Sequence, residues 1–279
     1  MRAASAKPFR TLHFHFHDPY RPGDSLVHLV DARIKLLLTL AFILTVSLLP
    51  SGAWPVYILL VFLIFGVDML SELGMGYILK RSLFSLPFIL AAVPIIFSDN
   101  GPAAGVFSIG PWNLEITQGG LEQFVSIVLK SWISIQAAVI LASTTPIPDL
   151  LGAMRALKVP RLLVQIFGLM WRYLFVMADE AQRMLRARYA RSGTTNNTDL
   201  KPGGSIRWRA QVAGGMAGSL FVRAIERSDR IYMAMAARGY DGEVRSFNPP
   251  KINALSWLIL GMFCTFFGIL LLLSILFWS

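Results

Sequence analysis

The sequence predicts an all-α fold: a polytopic membrane bundle of about five transmembrane helices, carrying two long helical arms on its cytoplasmic side. Three observations carry this. Over half of the 279 residues are hydrophobic, only 15% are charged, and the mean hydropathy is +0.57, a composition that suits lipid rather than water. Apolar runs of membrane-crossing length alternate with short polar links. The lysines and arginines are confined to particular links, so the net charge of +10 reads as topology and not as a nucleic-acid surface. Cys264 is the single cysteine and lies in an apolar run, which leaves neither a disulfide framework nor a cysteine metal site.

Residues 1–30 read as a cytoplasmic N-terminal tail with no apolar core of a signal peptide. Within it His13, His15 and His17 alternate with Phe14 and Phe16. In an extended strand the three imidazoles share a face and suit nickel, copper, zinc or cobalt. A histidine-rich surface segment that binds nothing specific is the alternative, and no metal site is assigned.

Residues 31–145 carry four spans. The first follows Asp31-Ala-Arg33-Ile-Lys35 and covers Leu36 to Leu49, stopping at Pro50-Ser-Gly52. The second runs from Trp54 to Leu70, with Asp68 and Glu72 at its cytoplasmic end, where charge costs little. The third, Leu83 to Phe97, contains Pro87 and Pro94, kinks that a bilayer tolerates where neighbours satisfy the freed backbone. The fourth runs from Leu121 to Ser143. Lys130 falls near its middle and is read as a structural cation paired with a partner's carboxylate or with the Glu122 side of the bundle. Residues 253–279 form the fifth span, from Ala254 to Phe277.

Orientation follows from the cations. Arg21, Arg33 and Lys35 precede the first span, Lys80 and Arg81 separate the second from the third, and a dense basic set lies between the fourth and fifth. The links Pro50 to Ala53 and Ser98 to Gly120 contain neither lysine nor arginine. The positive-inside rule puts the N-terminus in the cytoplasm of a multi-pass cell membrane protein, with the C-terminus outside.

Residues 146–252 form the cytoplasmic region. Asp149 is expected to N-cap a short helix through Leu157. Pro160 suits the first turn of the next helix. That helix is apolar on nearly every face from Leu162 to Ala178, broken by Gln165 and Arg172, and strongly polar from Asp179. Pro160 to Arg191 would extend roughly 48 Å. A polar link from Gly193 to Gly203 leads to the second arm, Ser205 to Arg238. Here Ala210, Gly214 and Gly218 recur every four residues, a smooth ridge on which a second helix can cross closely, and Glu226 with Arg230 adds a favourable i,i+4 pair. The arms finish alike, in Ala190-Arg191-Ser192 before Gly193 and in Ala237-Arg238-Gly239. Arginine in a last turn followed by glycine is ordinary C-capping. It also presents a planar, permanently charged fork that pairs with a carboxylate.

The ordered set of Asp31-Ala-Arg-Ile-Lys35, Thr144-Thr145, Asp149-Leu150, Val159-Pro160, Trp171-Arg172-Tyr173 and the two Ala-Arg-Ser/Gly ends resembles the transmembrane T component of energy-coupling-factor (ECF) transporters, the CbiQ and EcfT family. The resemblance covers nearly the whole chain after residue 25. It implies a non-catalytic scaffold of an ATP-driven importer, in which two cytoplasmic coupling helices dock two ABC-type ATPase subunits. Arg191 would enter one ATPase and Arg238 the other, with Ser192 departing from the usual glycine. It further implies a small membrane substrate-binding (S) component, CbiM-like if metal-specific, with ATP and magnesium held by the ATPases and no cofactor in this chain. The resemblance is closest to the CbiQ branch, which implies cobalt or nickel; vitamin uptake is the alternative. No phosphate-binding loop is present. A self-sufficient carrier is the rival from another class, and it would place ionisable groups near the midplane.

Overall fold

The computed structural model describes residues 20–97, 103–109, 112–191, 205–241 and 254–278. The chain folds as two compact units. One comprises the described residues of 19–159 and 248–279, the other those of 160–247.

The first unit is the apolar bundle. A four-residue turn, α1 (Leu26–Leu29), precedes α2 (Ala32–Leu48), whose N-cap Asp31 accepts from the backbone N–H of Arg33. This satisfies a donor that the first helical turn leaves without a partner. α3 (Trp54–Ser71) has a proline in its first turn and ends at Glu72 in the left-handed region, φ 55°. Asp68 is not at a solvated edge as expected but only 5% exposed.

The third span departs from expectation at its start. Helix begins at Met75, not Leu83, so Lys80 and Arg81 sit in the last turn of α4 (Met75–Ser82) rather than in a link. The chain then alternates between helix types: a 3-10 turn at Leu83–Ser85, α5 (Leu86–Ala92) and a second 3-10 stretch at Val93–Phe97. Pro87 occupies the first turn of α5, and Pro94 lies in the 3-10 stretch. Each proline falls where the regular i to i−4 ladder is already interrupted.

An antiparallel hairpin follows, β1 (Ala103–Ile109) with β2 (Trp112–Thr117). It adds a small sheet to the helical fold, within a stretch that the sequence marks only as a link. α6 (Gln118–Thr144) starts three residues before the expected Leu121. Gly120 belongs to that first turn, and a Cβ there would approach the Ile95 and Ile96 carbonyls at 2.6 and 2.8 Å. Only glycine lets the helix lie this close to the 3-10 backbone.

α7 (Ile147–Ala156) begins two residues before the expected cap. Pro146 is its N-cap, and Asp149 lies in the first turn, where a carboxylate meets the positive end of the helix. It ends with Lys158 in the left-handed region, φ 63°. The N–H groups of Lys158 and Val159 return to the carbonyls of Arg155 and Met154, a Schellman closure in which glycine is the usual occupant.

The last helix, α10 (Ala254–Trp278), completes this unit. The core joins Phe42, Val46 and Leu49 of the α2 segment to Tyr57, Leu60 and Ile64 of α3, Ile133 and Ile140 of α6, and Phe267 of α10. Phe42 meets Phe267 edge to face, with centroids 5.7 Å apart.

The second unit contains α8 (Arg161–Arg191) and α9 (Ile206–Ala237). Ser205 N-caps α9 through the Trp208 N–H.

Among the described residues, five helical segments of 18 residues or more are apolar enough to cross a membrane: Trp54–Ser71, Met75–Phe97, Gln118–Thr144, Arg161–Arg191 and Trp257–Trp278. Four of the five expected spans are among these. α2, with 17 residues, lies at the short end of the length that crosses a bilayer, and α8 joins the set through its apolar first half.

Candidate functional site

The site is built by α8 and α9. Three contacts fix their relation. The Tyr240 hydroxyl meets Gln165 Oε1 at 2.9 Å, Glu180 accepts from Arg183 in its own helix and from Arg223 across to α9, and the Arg188 guanidinium lies 6.0 Å from the Trp208 ring centroid. As the α8 position rises from 165 to 188, its α9 partner falls from 240 to 208. The helices are therefore antiparallel, and their C-terminal ends lie at opposite ends of the pair. From the level of Gln165 to Arg191 is about 39 Å along the helix.

One end is fully described. Arg238 is the C-cap of α9, and Gly239 takes φ 76°. The Gly239 N–H donates to the Ala236 carbonyl at 3.0 Å and the Tyr240 N–H to the Met235 carbonyl at 3.1 Å. This is a complete Schellman closure. It turns the chain so that Tyr240 reaches back to Gln165, while Ala237, Arg238 and Gly239 stay exposed. At the other end Ala190 and Arg191 are exposed in the last turn of α8. Ser192 lies outside the described residues, as do His13, His15 and His17. Among the described residues neither Arg191 nor Arg238 has an ion-pair partner. Each presents an exposed guanidinium at a helix terminus.

The small-residue ridge has a different place from the one expected. The partly covered positions of α9 include Val212, Met216, Leu220, Ala224, Ile231 and Met235. Ala210, Gly214 and Gly218 are displaced by two residues from the Trp208, Val212 and Met216 row, about 200° around the helix. They are exposed, and a Cβ at Gly214 or Gly218 would meet nothing within 4 Å. The ridge is thus on the far side of α9 from α8. On α8, Leu162, Leu163, Ile166, Phe167 and Met170 are exposed, so the start of its apolar half carries an exposed apolar face.

In the bundle, two of the sequence motifs meet. Lys35 Nζ donates to the Thr144 carbonyl at 3.1 Å and is 3.4 Å from that of His28, which joins Asp31-Ala-Arg-Ile-Lys35 to Thr144-Thr145. Lys130 pairs with neither Glu122 nor another carboxylate among the described residues. Its Nζ donates to the Leu49 carbonyl at 2.5 Å and lies 3.4 Å from that of Ser47. Both lysines end on backbone acceptors, which any sequence supplies.

The described residues form an apolar helical bundle and a paired-helix unit that offers two exposed arginine ends, the architecture of a membrane component. The chain matches the family described as CbiQ, cobalt transport protein, over residues 23–249, and it belongs to that family. It is 31% identical over 176 residues to the cobalt transport protein CbiQ of Rhodobacter capsulatus, covering 63% of this chain and 68% of that one. It is 30% identical over 236 residues to the energy-coupling factor transporter transmembrane protein EcfT of Lactococcus lactis, covering 80% and 83%. A putative fused cobalt transport protein CbiMQ of Methanocorpusculum labreanum is 26% identical over 76% of this chain and 34% of its own length. This is a transmembrane transport component of the CbiQ/EcfT type.

Proposed function

We propose that the chain is the coupling scaffold of an ATP-driven ECF importer in the cell membrane, with its N-terminus cytoplasmic. Arg191 and Arg238 dock one ABC-type ATPase subunit each, and α8 and α9 transmit ATPase movement to a membrane substrate-binding subunit. The observation that carries this reading is the antiparallel pair with two exposed arginine ends, neither in an ion pair among the described residues. A carboxylate on a moving partner can hold such a guanidinium through two parallel hydrogen bonds. The exposed apolar face at the start of α8 suits a membrane-embedded subunit, and the fused CbiMQ relative suits a CbiM-like one. ATP and magnesium belong to the ATPases in this scheme.

Cobalt or nickel is the proposed cargo, on the family description, and His13, His15 and His17 would suit a metal route. Vitamin uptake, which the ECF resemblance equally implies, is the second reading, and the EcfT relative covers more of the chain at nearly the same identity.

The test is affinity purification of the intact complex in mild detergent, comparing wild type with Arg191→Ala plus Arg238→Ala. Wild type should bring two ATPase subunits and a small membrane protein whose identity gives the cargo. The double variant should reach the membrane but lose the ATPases and transport. Undiminished ATPase recovery by the double variant overturns the docking roles, and wild type that purifies and transports alone establishes the carrier reading instead.

A further inference from the structure

The basic end of the bundle holds a charge arrangement that the coupling role leaves unused. The Arg21 guanidinium lies 3.7 Å from the centroid of the Tyr77 ring, and that of Arg81 lies 4.9 Å from the same centroid. The two Cζ atoms are therefore less than about 9 Å apart. Like charges so close repel, and cation–π contact offsets this only in part. Among the described residues neither arginine has an ion-pair partner.

Arg21 is held in place by its backbone. Its N–H donates to the Ser143 carbonyl at 2.9 Å, and its own carbonyl lies 3.0 Å from His28 Nε2. The residue after Ser143, Thr144, lines an apolar chamber of about 270 Å³ with Val27, Phe42, Val67, Ile140 and Phe267. Arg21 is thus anchored to the residue that precedes a lining residue of a chamber suited to hydrocarbon.

We infer that this end of the bundle binds an anionic phospholipid of the adjoining leaflet, with its phosphate on Arg21 and Arg81 and an acyl chain in the chamber. A phosphate accepts charge-assisted hydrogen bonds of roughly 2.8 Å from each guanidinium, and it cancels the repulsion that the tyrosine leaves. Basic pockets between membrane helices on the cytoplasmic side recognise anionic headgroups in this way. Binding here depends on the orientation proposed above but not on the ATPase contacts.

The complex purified in mild detergent is assayed for thermal midpoint, and for lipid retained by mass spectrometry, in mixed micelles of phosphatidylglycerol or of phosphatidylcholine. Inorganic phosphate is a separate arm. Phosphatidylglycerol is expected to raise the wild-type midpoint by about 5 °C and to be retained. Phosphatidylcholine and free phosphate should do neither. Arg21→Gln with Arg81→Gln should lose the shift, and Arg21→Lys with Arg81→Lys should keep at least half of it. If the glutamine pair does not fold, Arg81→Gln alone should still lose most of the retained lipid. Equal protection by phosphatidylcholine, equal protection by phosphate alone, or a glutamine variant that keeps the full shift overturns the site. ATPase recovery by the glutamine variant should stay at the wild-type level, so failure here is separable from failure of the coupling role.

Discussion

Lys35 and Lys130 cap each other's helices. Lys35, in the first turn of α2, donates to the last carbonyl of α6 at Thr144, and Lys130, on α6, donates to the carbonyl of Leu49 at the end of α2. The two helices run antiparallel, and each lends the other a cation where its orphan carbonyls and negative dipole end lie.

Removing either cation leaves those carbonyls in a nearly dry setting, since Leu49 and Thr144 are each 2% exposed. Lys35→Met and Lys130→Met should each destabilise the protein by about 1.5–3 kcal/mol. Thermal unfolding of the detergent-solubilised variants gives the number, and an unchanged midpoint for both would refute the reciprocal caps.

Lys158 carries the left-handed cost of the α7 closure without a glycine. Lys158→Gly should stabilise by about 1 kcal/mol. The expected result is a higher thermal midpoint with unchanged ATPase recovery.

The Tyr240–Gln165 hydrogen bond positions the Arg238 end against the start of α8. Tyr240→Phe should cost about 0.5–1.5 kcal/mol at that joint. Spin labels placed near the start of α8 and the end of α9 should report a broader distance distribution than in wild type, while the distribution at the Arg191 end stays the same.

A Cβ at Gly214 or Gly218 would meet nothing within 4 Å among the described residues. Alanine at each should raise the helix stability of the isolated subunit by about 1 kcal/mol. If the assembled transporter is instead weakened by the same changes, a partner helix uses the ridge.

The spans and caps that rest on side-chain type are legible in the sequence. Asp31 caps as expected, α3 runs nearly to its expected bounds, and the Arg238 terminus closes through Gly239. The choice among equivalent partners is not legible. A carboxylate is the natural match for Lys130 because carboxylates are visible in a sequence, whereas its acceptors are main-chain oxygens. The start of the third span at Met75 is hidden by Lys80 and Arg81, whose charges resemble a link although they sit in the last turn of a helix. Composition alone points the ridge of Ala210, Gly214 and Gly218 at the α8 crossing, and a displacement of two residues puts it on the opposite face.

The antiparallel arrangement of α8 and α9 has a consequence for symmetry. A half-turn about an axis through the Glu180–Arg223 contact exchanges the two helix directions and brings the Arg238 end to the vicinity of the Arg191 end. Arg191 stands 11 residues beyond Glu180 and Arg238 stands 15 beyond Arg223, or about 17 and 23 Å. One chain thereby offers approximately two-fold equivalent tips. A dimer of like subunits, whose own axis is two-fold, can grip both tips with the same pocket.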